Sequence, residues 1–291
     1  MKKEFNKGLL LTSLGSFWWG FIGVIYFQYV SFIGHIELVV HRCLWTAVML
    51  ILTTTFLSKW KIFYKIILQK KKLIGLFVSG FLIFTNWAIW IYAVATERII
   101  DASFGYFIMP ILSVLCGNIF FKEKISFKSK ISILLVCIAI FILLRNFNNV
   151  PWVGLIVAFS WAFYNVLRKL INVDTDIGLL IESLYLLPMS LIIFFLIFKS
   201  GQNDFSLENL DLMFMLLLAG PMTVIPLFLY VRGVELSGLG PSGMIFYITP
   251  TLQFLLGYFY YNELFSYEKF FSFTIIWIAV IIYLKDLYEK Y

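Results

Sequence analysis

The sequence predicts an all-α membrane protein, with ten transmembrane helices arranged as two inverted five-helix repeats. Three observations carry that prediction. The chain has 291 residues, is 62% hydrophobic and only 13% charged, and has a mean hydropathy of +0.93, whereas a soluble domain carries about a quarter charged residues. Its apolar residues fall into ten stretches of about 20 residues, the length that crosses a bilayer as a helix. The chain also contains itself twice at an offset of 140 residues: Gly80 recurs as Gly220, Val94 as Val234, Pro110 as Pro250, Gly117 as Gly257, Glu123 as Glu263 and Ser126 as Ser266. Matches among Leu and Phe mean little in so apolar a chain, but a Pro, two Gly, a Glu and a Ser in one register are harder to reach by chance.

The spans read, in order, as roughly 8–28, 36–57, 73–94, 101–121, 129–145, 151–171, 177–198, 211–231, 239–261 and 267–288. The first follows three Lys residues like a signal peptide, but its apolar stretch is too long and has no small-x-small cleavage site, so it is expected to remain as helix 1. The first repeat covers 8–145 and ends at a polar hinge, Asn146-Phe147-Asn148-Asn149; the second covers 151–288. Pro151 opens it, in the first turn of a helix where a missing N–H costs nothing. Because five is odd, two tandem copies must lie upside down relative to each other, the construction typical of secondary transporters. Ser126 and Ser266 are expected to cap helices 5 and 10. Glu123 and Glu263, just ahead of them, read as helix-boundary residues or as carboxylates of a gate.

Charge supports the inversion independently. With the N-terminus inside, the cytoplasmic segments hold eighteen of the twenty-three basic residues, among them Lys70–Lys72 and Arg168-Lys169. The outer segments hold Arg98, Arg145, Lys199 and Lys269, and Arg42 is left inside a span. The positive-inside rule then puts both termini in the cytoplasm of a multi-pass inner-membrane protein. The 4–5 loop carries Lys122, Lys124, Lys128 and Lys130, while its repeat partner carries only Lys269 against Glu263 and Glu268. The net charge of +7 is thus a topology signal, not a nucleic-acid surface.

Several function classes fall away. The longest stretch outside the spans is about a dozen residues, near 199–210, which leaves no room for a soluble catalytic or nucleotide-binding domain and excludes an ATP-driven pump on this chain alone. There is no His-Glu-x-x-His, no Gly-x-Ser-x-Gly, and only two His in total, so no enzyme, cofactor or metal is expected. Cys43, Cys116 and Cys137 lie within spans and read as packing residues. Gly233–Gly243 has no following Lys-Ser/Thr and reads as a turn.

The candidate functional residues lie at membrane depth. Pro110 and Pro250 each remove a helix hydrogen bond near the middle of helices 4 and 9, and the freed carbonyl has to face protein or a wet cavity. Each is a packing kink or a pliant point lining such a cavity. Arg42 and Glu182 are related by the same offset of 140, each about 9 Å into its helix at 1.5 Å per residue. Two readings stand for them: snorkelling or a fixed ion pair, or binding a charged substrate or carrying a proton. Glu37 reads as interfacial and His41 as a hydrogen-bonded structural group. Asn86 with Trp87, Ser103, Tyr106, Tyr164, Asn165, Thr223, Tyr247, Thr249 and Gln253 are the remaining polar groups, and Trp18, Trp19 and Trp161 accompany them. Together they suit a pocket for a small polar or zwitterionic organic molecule.

Particular stretches also resemble a known family. Glu37-Leu-Val-Val-His41-Arg42 with Trp45, Asn86-Trp87 before Ala93-Val94, and Ala102-Ser103-Phe104-Gly105-Tyr106-Phe107 leading to Pro110 are the first set. Phe163-Tyr164 before Arg168-Lys169, Leu180-Ile181-Glu182 before Leu187-Pro188, Thr223 with Pro226-Leu227, and Tyr247-Ile248-x-Pro250-Thr251 complete it. Over nearly the whole chain these resemble the RarD family of the drug/metabolite transporter superfamily, with its paired EamA repeats. One departure is Phe246, where similar sequences usually place a Gln. The resemblance implies alternating access around a cavity formed mainly by helices 1, 3, 4, 6, 8 and 9, with Trp19, Asn86, Tyr106, Tyr164, Thr223 and Tyr247 lining it. The expected function is a secondary transporter, an exporter of small organic metabolites across the cytoplasmic membrane without ATP. Its partners are then the small-molecule substrate, a coupling proton or ion, and the lipid bilayer. The alternative is a proton-coupled multidrug or antibiotic exporter using Glu182, and a more distant one is a non-transporting membrane scaffold.

Overall fold

The computed structural model describes residues 2–96, 99–145, 150–201, 203–206, 208–260 and 267–290. The side chain of Ser103, the Asn146–Asn149 hinge, Glu263 and Ser266 lie outside the described residues. The chain is helical throughout its spans: α1 (Lys2–Tyr29), α2 (His35–Phe56), α3 (Lys70–Ala95), α4 (Ile99–Phe121), α5 (Phe127–Leu144), α6 (Trp152–Ile171), α7 (Thr175–Ser200), α8 (Leu210–Ser237), α9 in two pieces (Leu239–Ile245 and Ile248–Phe259) and α10 (Tyr267–Lys290). A short amphipathic helix, Trp60–Ile67, joins α2 to α3. Among the described residues nine helices are long and apolar enough to cross a membrane.

The ninth span departs from the continuous helix that the sequence predicts. Pro250 has no N–H to offer the carbonyl of Phe246, which accepts the Thr249 N–H instead, at 2.9 Å, in a tightened turn. The break therefore falls at Phe246–Tyr247 and Pro250 sits in the first turn of the second piece. Its repeat mate behaves differently: α4 runs unbroken through Pro110. Upstream, Gly238 takes φ +96° and turns the chain from α8 into α9, a backbone conformation that favours glycine.

Three pairs of helices related by the repeat lie against each other and run antiparallel. On α4 and α9, Tyr247 meets Phe107, Gly243 meets Ser113 and Gly238 meets Glu123. On α2 and α7, His41 meets Phe194 while Lys59 pairs with Asp176. Ser126 at the start of α5 bonds Asp286 near the end of α10. The other interfaces come in matched sets: α1 on α8 as α6 on α3, α4 on α6 as α9 on α1, and α2 on α8 as α7 on α3. Exchanging each helix with its mate returns the same packing, so the second half is the first turned over. Lys2 lies over the ring of Tyr288, which puts both chain ends at one face, the terminal face; the opposite one is the far face.

In lipid, helices associate through close packing of small residues and through hydrogen bonds, since lipid tails are as apolar as Leu. A Cβ on Gly233 would fall 2.2 Å from Thr12 Oγ1 and one on Gly105 2.5 Å from the carbonyl oxygen of Gly154, so α1 on α8 and α4 on α6 touch at backbone distance. The hydroxyls of Thr12, Ser237 and Ser242 form a chain where α1, α8 and α9 meet. Ser126 caps α5 by accepting the Ser129 N–H. Glu123 binds more than its own helix end: its carboxylate accepts the N–H groups of Leu239 and Gly240 at 2.9 Å and pairs with Lys169 at 2.7 Å. It thus caps the N-terminus of α9, where free N–H groups and the helix dipole favour an anion, and it ties α4, α6 and α9 together at the terminal face.

Candidate functional site

The centre of the molecule is where the two halves meet. Tyr247 donates a 2.8 Å bond to the carbonyl of Phe107, its own repeat mate, and Tyr106 lies 6.3 Å from its mate, Phe246. Residues that touch their own mates lie on the pseudo-two-fold axis. Around them the rings of Trp19, Trp161, Tyr230 and Phe246 pack on one another at centroid separations of 5.3 to 6.0 Å. Trp19 reaches this cluster from the π-helical turn Trp18–Ile22 of α1, a distortion frequent at functional sites.

Beside the aromatic cluster an enclosed cavity of about 20 Å³ lies between α2, α3, α7 and α8. Its lining includes three pairs of mates, Cys43 with Ser183, Thr46 with Leu186 and Trp87 with Leu227, so it too straddles the axis. That volume holds about one water molecule, and Thr46 Oγ1 faces it with no hydrogen-bond partner. This void is bounded by α2, α3, α7 and α8, and of the expected site residues Glu182 lines it.

Two buried charges flank the centre. Towards the terminal face, Glu182 is 2% exposed and accepts bonds from Ser79 Oγ and Tyr164 Oη. The guanidinium of Arg168 lies 3.6 Å from its carboxylate. Arg168 is 1% exposed, although the sequence reading grouped it with the cytoplasmic loop charges. The structural reason is Gly178: a Cβ there would fall 1.8 Å from Arg168 Nη1, so the missing side chain on α7 makes room for the guanidinium. Arg168 then donates to the Thr175 carbonyl, and Thr175 and Arg232 both bond Glu235.

Towards the far face, Arg42 is 7% exposed. Its Nε donates to Thr223 Oγ1 at 3.3 Å, and its guanidinium lies 5.0 Å from the ring of Phe27 and 4.8 Å from that of Trp87, a cation–π arrangement. Tyr26 and Tyr106 are within its electrostatic reach. Neighbouring Glu37 is engaged elsewhere, accepting the backbone N–H groups of Asp204 and Phe205 and facing His41 at 3.6 Å. His41 accepts the indole N–H of Trp45, a structural role.

The structure brings six of the expected residues into two groups: Thr223 with Arg42, and Tyr106 across Phe246 to Trp19 and, through Trp161, to Tyr164 and Glu182. Asn86 and Tyr247 are occupied otherwise. Asn86 bonds the Val157 carbonyl and Ser160, holding α3 to α6, and Tyr247 holds α9 to α4. Tyr230 and Arg168 were missed by the sequence reading. Tyr230 carried no signal within an apolar run. Arg168 carried one, since it stands four residues after Tyr164 and so on the same helix face.

Comparison with known proteins agrees with this architecture. A model of the EamA-like transporter family matches residues 6–145. The chain is 32% identical to Protein RarD of Salmonella typhi, over 98% of this chain and 96% of the relative. It is 31% identical to the uncharacterized transporter YojE of Bacillus subtilis, over 96% and 94% respectively. A solved crystal structure superposes with a TM-score of 0.71 over 96% of this chain and 97% of its own, at 12% identity, a likeness of fold alone. The chain belongs to the RarD family of EamA-like transporters, within the drug/metabolite transporter superfamily, and is a multi-pass membrane protein of ten helices.

Proposed function

We propose that this protein is a secondary transporter that exports small organic metabolites across the cytoplasmic membrane by alternating access, with both termini in the cytoplasm. The observation that carries the reading is the contact of repeat mates at the centre, Tyr247 on Phe107 and Tyr106 on Phe246. An interface between inverted halves can open on either side of a fixed site by rocking one half against the other. At the terminal face Glu123 ties α4, α6 and α9 together, contacts that an opening on that side has to release. Pro250 gives α9 a joint beside the site, and Pro110 weakens α4 at the equivalent place. The positive charge at the terminal face supports its cytoplasmic orientation.

The alternative of a proton-coupled cation exporter needs a membrane carboxylate free to exchange a proton for the drug. Glu182 is engaged by Ser79, Tyr164 and Arg168, and we assign it the part of a fixed countercharge. The test is flux: purified protein in proteoliposomes, offered amino acids, carboxylates, amines, nucleosides and neutral antibiotics under pH and voltage gradients. Saturable flux of at least one class is expected. Its absence for every class would overturn the reading.

A further inference from the structure

Arg42 is a buried cation that no oppositely charged side chain among the described residues answers. Among the described residues only Nε has a hydrogen-bond partner; the two Nη groups, which carry four of the five guanidinium donors, have none there. They are also not among the sealed, unsatisfied buried atoms of the structure, so they keep some accessible surface. No described carboxylate pairs with Arg42, and Glu37, one and a half turns away on the same helix, is spent on the backbone at 204–205. An ionised group held in this way is costly unless something completes it.

We infer that the free Nη edge of Arg42 is the anchor for an organic monoanion, a carboxylate with a flat apolar body, entering from the far-face side of the aromatic centre. The inference rests on the transporter reading and gives it a substrate class. Three features argue for that class. A guanidinium edge matches a carboxylate through two parallel bonds. One cation balances one negative charge, so a doubly charged phosphate ester would leave a buried charge unpaired. The rings against the guanidinium are Phe27 and Trp87, which suit an apolar body and provide no carboxylate for an ammonium group. Glu182, the buried carboxylate beyond the aromatic centre, is answered by Arg168, so zwitterions and cationic drugs are disfavoured.

The test uses the full chain in detergent, with propionate, 3-phenylpropionate and indole-3-acetate as probes, each beside its primary amide. The set is completed by 3-phenylpropylamine and L-phenylalanine. Binding is read by thermal shift and by tryptophan fluorescence. The carboxylates are expected to bind the wild type at least about tenfold more tightly than the amides or the amine, as befits charge-assisted bonds. Arg42→Gln abolishes that preference, and Arg42→Lys, which keeps the charge but loses the fork, retains it in weakened form. Wild-type protein that ignores every carboxylate, or that binds amide or amine equally, overturns the inference. So does tighter binding of L-phenylalanine than of 3-phenylpropionate, and so does an Arg42→Gln protein that elutes as folded and keeps the preference. Should Arg42→Gln fail to fold, undiminished carboxylate affinity in Arg42→Lys overturns it. Proteoliposome flux separates the two readings: flux of amines or neutral compounds untouched by Arg42→Lys sinks the anion site but keeps the transporter. Carboxylate binding without any flux does the reverse.

Discussion

Arg42 and Glu182 stand at equivalent places in the two halves, 140 residues apart, yet one charge is left open and the other is enclosed. Glu182 has a guanidinium, two hydroxyls and a glycine arranged for it. Arg42 has one threonine and two aromatic rings. The difference is traceable to mates. Arg168 corresponds to Gln28, which is exposed on α1; Gly178 corresponds to Leu38, a buried side chain; Ser79 corresponds to Ala219. The two-fold backbone therefore places two charge positions symmetrically, and side chains answer one with an opposite charge and, among the described residues, leave the other without one. Duplication supplies a frame with an axis, and the side chains around these two charges break its symmetry.

The largest way to break this comparison is to unpair the enclosed charge. Arg168→Met leaves Glu182 buried without its guanidinium, and breaking a buried pair from one side costs about 3–5 kcal/mol. The double variant Arg168→Met with Glu182→Leu removes both charges and is expected to recover most of that loss. Thermal or detergent-titrated unfolding of the purified variants measures both, and additive losses would show that the pair is not coupled.

A second test addresses the helices that carry the two charges. Gly220 and Gly80 are mates, but a Cβ on Gly220 would fall 2.5 Å from the Trp45 carbonyl oxygen, whereas one on Gly80 would meet Glu182 at an ordinary 3.4–3.5 Å. Gly220→Ala has to push backbone from backbone and is expected to cost about 1–3 kcal/mol, the usual range for overpacking. Gly80→Ala fits, and is neutral or stabilising by up to about 1 kcal/mol because Ala is the better helix former. Equal effects in the unfolding midpoint would mean that the two poles are packed alike.

The sequence made the frame legible because lipid imposes two strong constraints, about 20 apolar residues per span and odd-numbered repeats that must invert. Gly80, Pro110, Glu123 and Ser126 showed the register because their chemistry differs from the apolar background. Two features were hidden for physical reasons. The break in α9 lies at Phe246 although Pro250 causes it, since a proline disturbs the carbonyl four residues upstream. Arg168 read as a loop charge because its depth depends on Gly178 of another helix, a contact that no local pattern contains. Arg42 was legible as a buried charge, but its lack of an acidic partner among the described residues was not, because that is a statement about many neighbours at once.

The smallest expected effect sharpens the comparison most. Arg42→Met exchanges an unanswered buried guanidinium for an apolar chain of similar reach. It gains by removing the uncompensated charge and loses two cation–π contacts with Phe27 and Trp87, worth about 0.5–2 kcal/mol each. These terms oppose each other, so stability should stay within about 1 kcal/mol of the wild type while the carboxylate preference disappears. The same chemical change at Arg168 is expected to be several times more damaging, although both arginines are buried. A loss at Arg42 as large as at Arg168, measured in the same unfolding assay, would mean that Arg42 is already answered within the protein, and the distinction between the two poles would fall with it.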